Sequence, residues 1–113
     1  MRPFRRALPA LLAMLLAVPF HASLADTPEF QIVIRDHRFT PTELEVPAST
    51  KIRLVVVNQD PTPEEFESYD FDREKIVPGN GRIVVFVGPL KPGKYEYFGD
   101  FNMATARGSL IAK

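Results

Sequence analysis

The chain has 113 residues, with 14 basic against 14 acidic side chains and no cysteine. That length holds one ordinary domain. Nothing in the charge pattern suggests a nucleic-acid partner, which would want clustered positive charge, and the missing cysteine removes both disulfide staples and any thiolate ligand.

Residues 1–25 read as a secretory signal peptide. Arg2, Arg5 and Arg6 form a basic head, Ala7 to Phe20 is an apolar run, and Ser23-Leu24-Ala25 fits the small-x-small cleavage rule. The run is shorter than the roughly 20 residues of a membrane span. A mature domain over 26–113 is therefore expected, exported to the periplasm and not membrane-spanning. With the three arginines gone it keeps 11 basic against 14 acidic residues, a formal net of −3.

The mature chain is punctuated throughout by proline and glycine, and strands are predicted between them. Phe30–Arg35 is a β-branched and aromatic run. Glu43–Val46 alternates polar and apolar, and Lys51–Asn58 carries the strongest apolar pattern. Glu64–Ser68 is a short extended piece in which Glu64, Phe66 and Ser68 share one face and Glu65 and Glu67 the other. Pro78-Gly79-Asn80-Gly81 is a dense turn. Arg82–Val87, Tyr95–Phe98 and Ser109–Ala112 complete the set, and Met103–Arg107 offers one helical turn at most. Seven to eight short strands at such spacing predict an all-β Greek-key sandwich. The phenylalanines, Phe86 and Phe101 among them, are expected to supply most of its core.

The order of motifs from Phe39 onward resembles the cupredoxins: F-T-P-x-E-L-x-V-P-A, then V-V-V-N-Q-D, then P-G-K-Y-E-Y-F and a closing G-S-L-I-A. E-E-F-E-S (64–68), R-E-K (73–75), G-P-L-K-P-G (88–93) and F-G-D-F (98–101) resemble, more narrowly, the EfeO-type cupredoxin-like domain family. The resemblance implies a periplasmic protein associated with high-affinity iron uptake through an Ftr-type permease, with a periplasmic or membrane component of that system as partner. Carried over by position, the family's copper ligands fall on Glu64 for the first histidine, Gly99 for the cysteine, Asn102 for the second histidine and Ala106 for the axial methionine. A type 1 centre needs two imidazoles and a thiolate in a plane, and the mature chain has a single histidine, His37, and no cysteine. Blue-copper electron transfer is chemically untenable.

What remains near those positions is rich in oxygen donors. Glu64, Glu67, Asp100, Asn102 and Met103 are the candidate metal residues, with carboxylates suited to harder cations such as iron and Met103 a soft contact for copper. The ion is copper or iron, if one is bound. The same acids also read as a solvated rim, and His37 beside Asp36 as a hydrogen-bonding surface residue. Three functions stand: an accessory protein of iron uptake, a metal-free interaction sandwich, and a copper-dependent redox or ferroxidase component with a non-blue site. No nucleophile–base pair, phosphate loop or zinc spacing supports another enzyme class.

Overall fold

The computed structural model describes Pro3 and residues 27–113, so the expected signal peptide lies outside the described residues. Nine strands follow in order: β1 (Glu29–Arg35), β2 (Arg38–Thr40), β3 (Glu43–Val46), β4 (Ile52–Asn58), β5 (Glu64–Ser68), β6 (Arg73–Val77), β7 (Arg82–Val87), β8 (Gly93–Gly99) and β9 (Arg107–Ala112). They form two mixed sheets, β2-β1-β4-β7 and β3-β9-β8-β5-β6, with β1∥β4 and β3∥β9 as the parallel pairs. This is the all-β sandwich expected, with two strands beyond those counted from the sequence.

Both additions have a physical explanation. β2 is three residues long and follows a two-residue turn at Asp36 and His37, whose φ values of 51° and 57° give the primed geometry that hairpins favour. The usual Asn-Gly signal is absent, so pattern alone leaves a loop. In its place the Asp60 carboxylate accepts hydrogen bonds from the Asp36 and His37 N–H groups at 2.8 and 2.9 Å. β6 (REKIV) shows no alternation because it is an edge strand with four of its five residues exposed.

Burial follows strand position. β4, flanked by β1 and β7, is buried along most of its length, as a central strand should be. β5 lies on the second sheet and buries every other residue, Glu64, Phe66 and Ser68. The core joins Ile32, Ile34, Leu54 and Val56 from one sheet to Phe66, Tyr97 and Leu110 from the other. At its centre Phe39, Phe66 and Tyr97 meet with centroid separations of 5.2–6.1 Å, a contact energy added to their area burial. Burial pushes the Tyr97 phenol up from its ordinary value. Two aromatics depart from the expected core: Phe86 on edge strand β7 and Phe101 on the short 3-10 turn Asp100–Asn102 are both exposed. That turn also begins three residues earlier than the helical turn expected at Met103.

The loop entering β5 is held by Asn58, the last residue of β4. Its Nδ2 donates to Thr62 O at 2.8 Å, and its Oδ1 accepts from the Asp60 N–H at 3.0 Å. Both Asn58 and Asp60 are buried, so the loop is fixed from inside, and Glu64 is delivered to one place.

Candidate functional site

The four positions that carry copper in the resembled family converge at one end of the sandwich. Glu64 opens β5, Gly99 closes β8, Asn102 ends the 3-10 turn and Ala106 precedes β9. The turn is folded back on itself by hydrogen bonds from Ala106 N–H to Asn102 O (2.8 Å) and from Gly99 N–H to Ala106 O (2.9 Å). Into it points the Glu64 side chain, only 1% exposed.

Both of its oxygens accept hydrogen bonds. Oε1 accepts from the Phe101 N–H at 2.9 Å and the Glu65 N–H at 3.0 Å, and Oε2 accepts from Asn102 Nδ2 at 2.6 Å. A buried carboxylate is costly unless it is hydrogen-bonded, and here the backbone of the turn and the Asn102 amide supply the donors. Gly99 is part of the same device. A Cβ there would lie 2.5 Å from Glu64 Cδ and 2.7 Å from the Ala106 Cβ, so any side chain at the cysteine position collides with the carboxylate. The residues present do not fit a type 1 copper ion: the donor set has no thiolate and no imidazole, and Glu64 fills the space between them.

The five candidate metal residues therefore do not form one constellation. Glu64 and Asn102 bind each other inside. Glu67 and Asp100 lie on the outer face of the five-stranded sheet, and the residue that joins them is Glu65. Carboxylate oxygens of Glu65, Glu67 and Asp100 lie within 4.8 Å of one another. Met103 sits apart, exposed, and lines with Tyr69, Phe98 and Arg107 a hollow of about 200 Å³.

Sequence reasoning put Glu65 on the outer face but left it out of the candidate set. It also missed Glu74, which register places directly across from Glu67 on β6. The pairing of β5 with β6 is a tertiary fact, and no motif announces it. Crowding shows in the titration of Glu65, pushed up to about 7. Partial burial is the largest cause, followed by hydrogen bonding to Glu74, repulsion from Glu74 and Asp100, and hydrogen bonding to Glu67. His37 belongs to neither group. Its Nδ1 lies 3.6 Å from Asp60 Oδ2 with the side chain about half exposed.

The cupredoxin-like domain model matches residues 8–112. The chain belongs to the cupredoxin-like domain family. An uncharacterised protein of Rickettsia prowazekii (strain Madrid E) is 57% identical over 83 residues, covering 74% of this chain and 66% of the relative. The chain thus matches just under two thirds of that relative's length. Among solved structures, amicyanin from Paracoccus versutus superposes with a TM-score of 0.60 at 17% identity, over 79% of this chain and 83% of that one. Auracyanin A, a "blue" copper protein from Chloroflexus aurantiacus, gives 0.63 at 13%, over 75% and 98%. The purple cupredoxin from Nitrosopumilus maritimus gives 0.57 at 20%, over 74% and 98%. At such identities the likeness is one of fold. This cupredoxin-like domain keeps the sandwich and holds a buried, hydrogen-bonded carboxylate at one end of it.

Proposed function

We propose that this protein is an exported, periplasmic accessory protein of high-affinity iron uptake, of the EfeO type, working without type 1 copper. The observation that carries the copper-free part is the buried Glu64 carboxylate, satisfied by Phe101, Glu65 and Asn102 and packed against Gly99. The iron part draws on the EfeO-like motifs and on the outward triad Glu65, Glu67 and Asp100. Three carboxylates are hard donors that suit Fe(II) better than Cu(I). An exposed, acid-only set holds a cation weakly, which suits a protein that passes ions to a partner component. Glu64 and Asn102 act here as structure, and Glu65, Glu67 and Asp100 as ligands.

The test is thermal melting of the purified protein under anaerobic conditions with millimolar Fe(II). Binding to the native state raises Tm by mass action, by several degrees for a domain of this size. The triple variant Glu65→Gln, Glu67→Gln, Asp100→Asn is expected to lose the shift. No shift with Fe(II) or Mn(II) would sink the cation reading in favour of a metal-free interaction domain. Intense blue colour on adding Cu(II) would sink the copper-free one.

A further inference from the structure

The four-stranded sheet ends on β2, three residues long, and on β7, six residues long. The other sheet ends on β3 and β6, with four and five residues. Short edges resist strand addition, so β7 is the longest open edge among the described residues.

One side of β7 is covered by β4. Asn58 N–H donates to Gly81 O at 2.8 Å, and alternation along the antiparallel ladder from that pair turns Ile83, Val85 and Val87 toward β4. The N–H and C=O groups of Arg82, Val84 and Phe86 consequently face the other way, toward β6. β7 runs back beside β6 after the turn at 78–81, yet the ladder of β6 is made with β5 alone. Two side chains span the gap. Arg73 Nε donates to Phe86 O at 2.9 Å and Lys75 Nζ to Val84 O at 3.4 Å. Between the strands lies a groove of about 340 Å³ lined by both cations, Glu74, Val84, Val85 and Phe86.

With Glu74 the one acid lining the groove, the flank still carries an excess of cations in a domain that is otherwise acidic. Arg73, Lys75, Arg82 and Lys51 are exposed, and among the described residues none of the four forms a salt bridge. Lys51 Nζ rests 4.8 Å over the exposed Phe86 ring. Two carbonyls are thus capped by side chains that can move, while the outward N–H groups of Val84 and Phe86 make no ladder bond to β6.

We infer that β7 is a docking edge for an extended acidic segment of a partner protein, added as a fifth strand to the four-stranded sheet. Backbone bonds to Val84 and Phe86 set the register of the incoming strand. Arg73 and Lys75 leave the carbonyls they cap and meet its carboxylates, which selects for acidic side chains. The inference is independent of the cation reading, since it uses a different edge and different residues.

The probe is a capped seven-residue peptide alternating Glu and Val, with its Lys–Val counterpart as control. Amide exchange of the ¹⁵N-labelled protein is followed by NMR. Saturating Glu–Val peptide is expected to slow exchange at the Val84 and Phe86 amides by about tenfold or more, with binding that weakens as salt rises. Arg73→Glu with Lys75→Glu reverses the preference between the two peptides. Val84→Pro, which removes an outward N–H without touching the β4 ladder, abolishes binding with the fold retained. Unprotected amides at Val84 and Phe86, or equal protection by the Lys–Val peptide, overturn the inference. So does protection that grows with protein concentration in the absence of peptide, which assigns the edge to a second copy of the chain.

Discussion

Glu64 and Glu65 are consecutive residues of one strand, and they live in opposite conditions. Glu64 points inward, is 1% exposed, and meets only donors: two backbone N–H groups and the Asn102 amide. Glu65 points outward and meets Glu67, Glu74 and Asp100. The period of two along a strand is enough to separate a carboxylate that holds the fold from one that strains it. Acidity at this end of the sandwich is therefore two properties, one buried and hydrogen-bonded and one turned to the surface.

The largest test of this contrast removes the inner carboxylate. Glu64→Ala leaves three donors without an acceptor and opens a cavity, a loss of about 3–5 kcal/mol, read by urea unfolding. Glu64→Gln keeps the shape and an acceptor for the two backbone N–H groups, while Asn102 must turn its amide oxygen to the new N–H₂, a smaller loss of about 1 kcal/mol. A neutral result for Glu64→Ala would break the comparison, because the inner acid would then be as dispensable as the outer ones.

Gly99→Ala comes next. The added methyl meets Glu64 and Ala106 well inside van der Waals contact, an overpacking cost of about 1–3 kcal/mol. The same closeness predicts that Gly99→Cys by itself yields no blue site, checked by absorption after adding Cu(II). If Gly99→Ala is tolerated at wild-type stability, the inner pocket is roomier than its packing indicates.

The smallest effect belongs to the outer acid and is a dependence on pH. Glu65 is raised from 4.5 to about 7 in the folded chain, so the native state holds its proton more tightly than the unfolded state does. Between those two values the folded form binds more protons, and stability falls as pH rises through the window. Melting at pH 5 and pH 8 is expected to show a drop for the native protein that Glu65→Gln largely abolishes. An unchanged slope in the variant would place the titration elsewhere.

Much of the fold is legible along the chain. β3, β5 and β7 fall on the predicted segments, because alternation and turn residues are local signals. β2 and β6 escaped, the first because a side chain from another loop caps its turn, the second because a charged edge strand has no periodicity to show. The site divides in the same way. That Glu64 would share a face with Phe66 follows from spacing, whereas its three donors come from residues 65, 101 and 102. Glu67, Asp100 and Met103 looked like neighbours of Glu64 because they flank the same end. The sheet separates them, Glu67 and Asp100 to its outer face and Met103 to a hollow beside Tyr69 and Phe98.

By itself, the sequence determined that the domain is all-β and that no blue-copper centre can form. Both follow from composition and short-range order, since a chain without cysteine cannot supply the thiolate. Only the tertiary structure decided what stands in the centre's place. Glu64 and Asn102 are 38 residues apart, and a 2.6 Å hydrogen bond between them exists only once β5 and β8 pair and the 3-10 turn folds over the end of the sandwich.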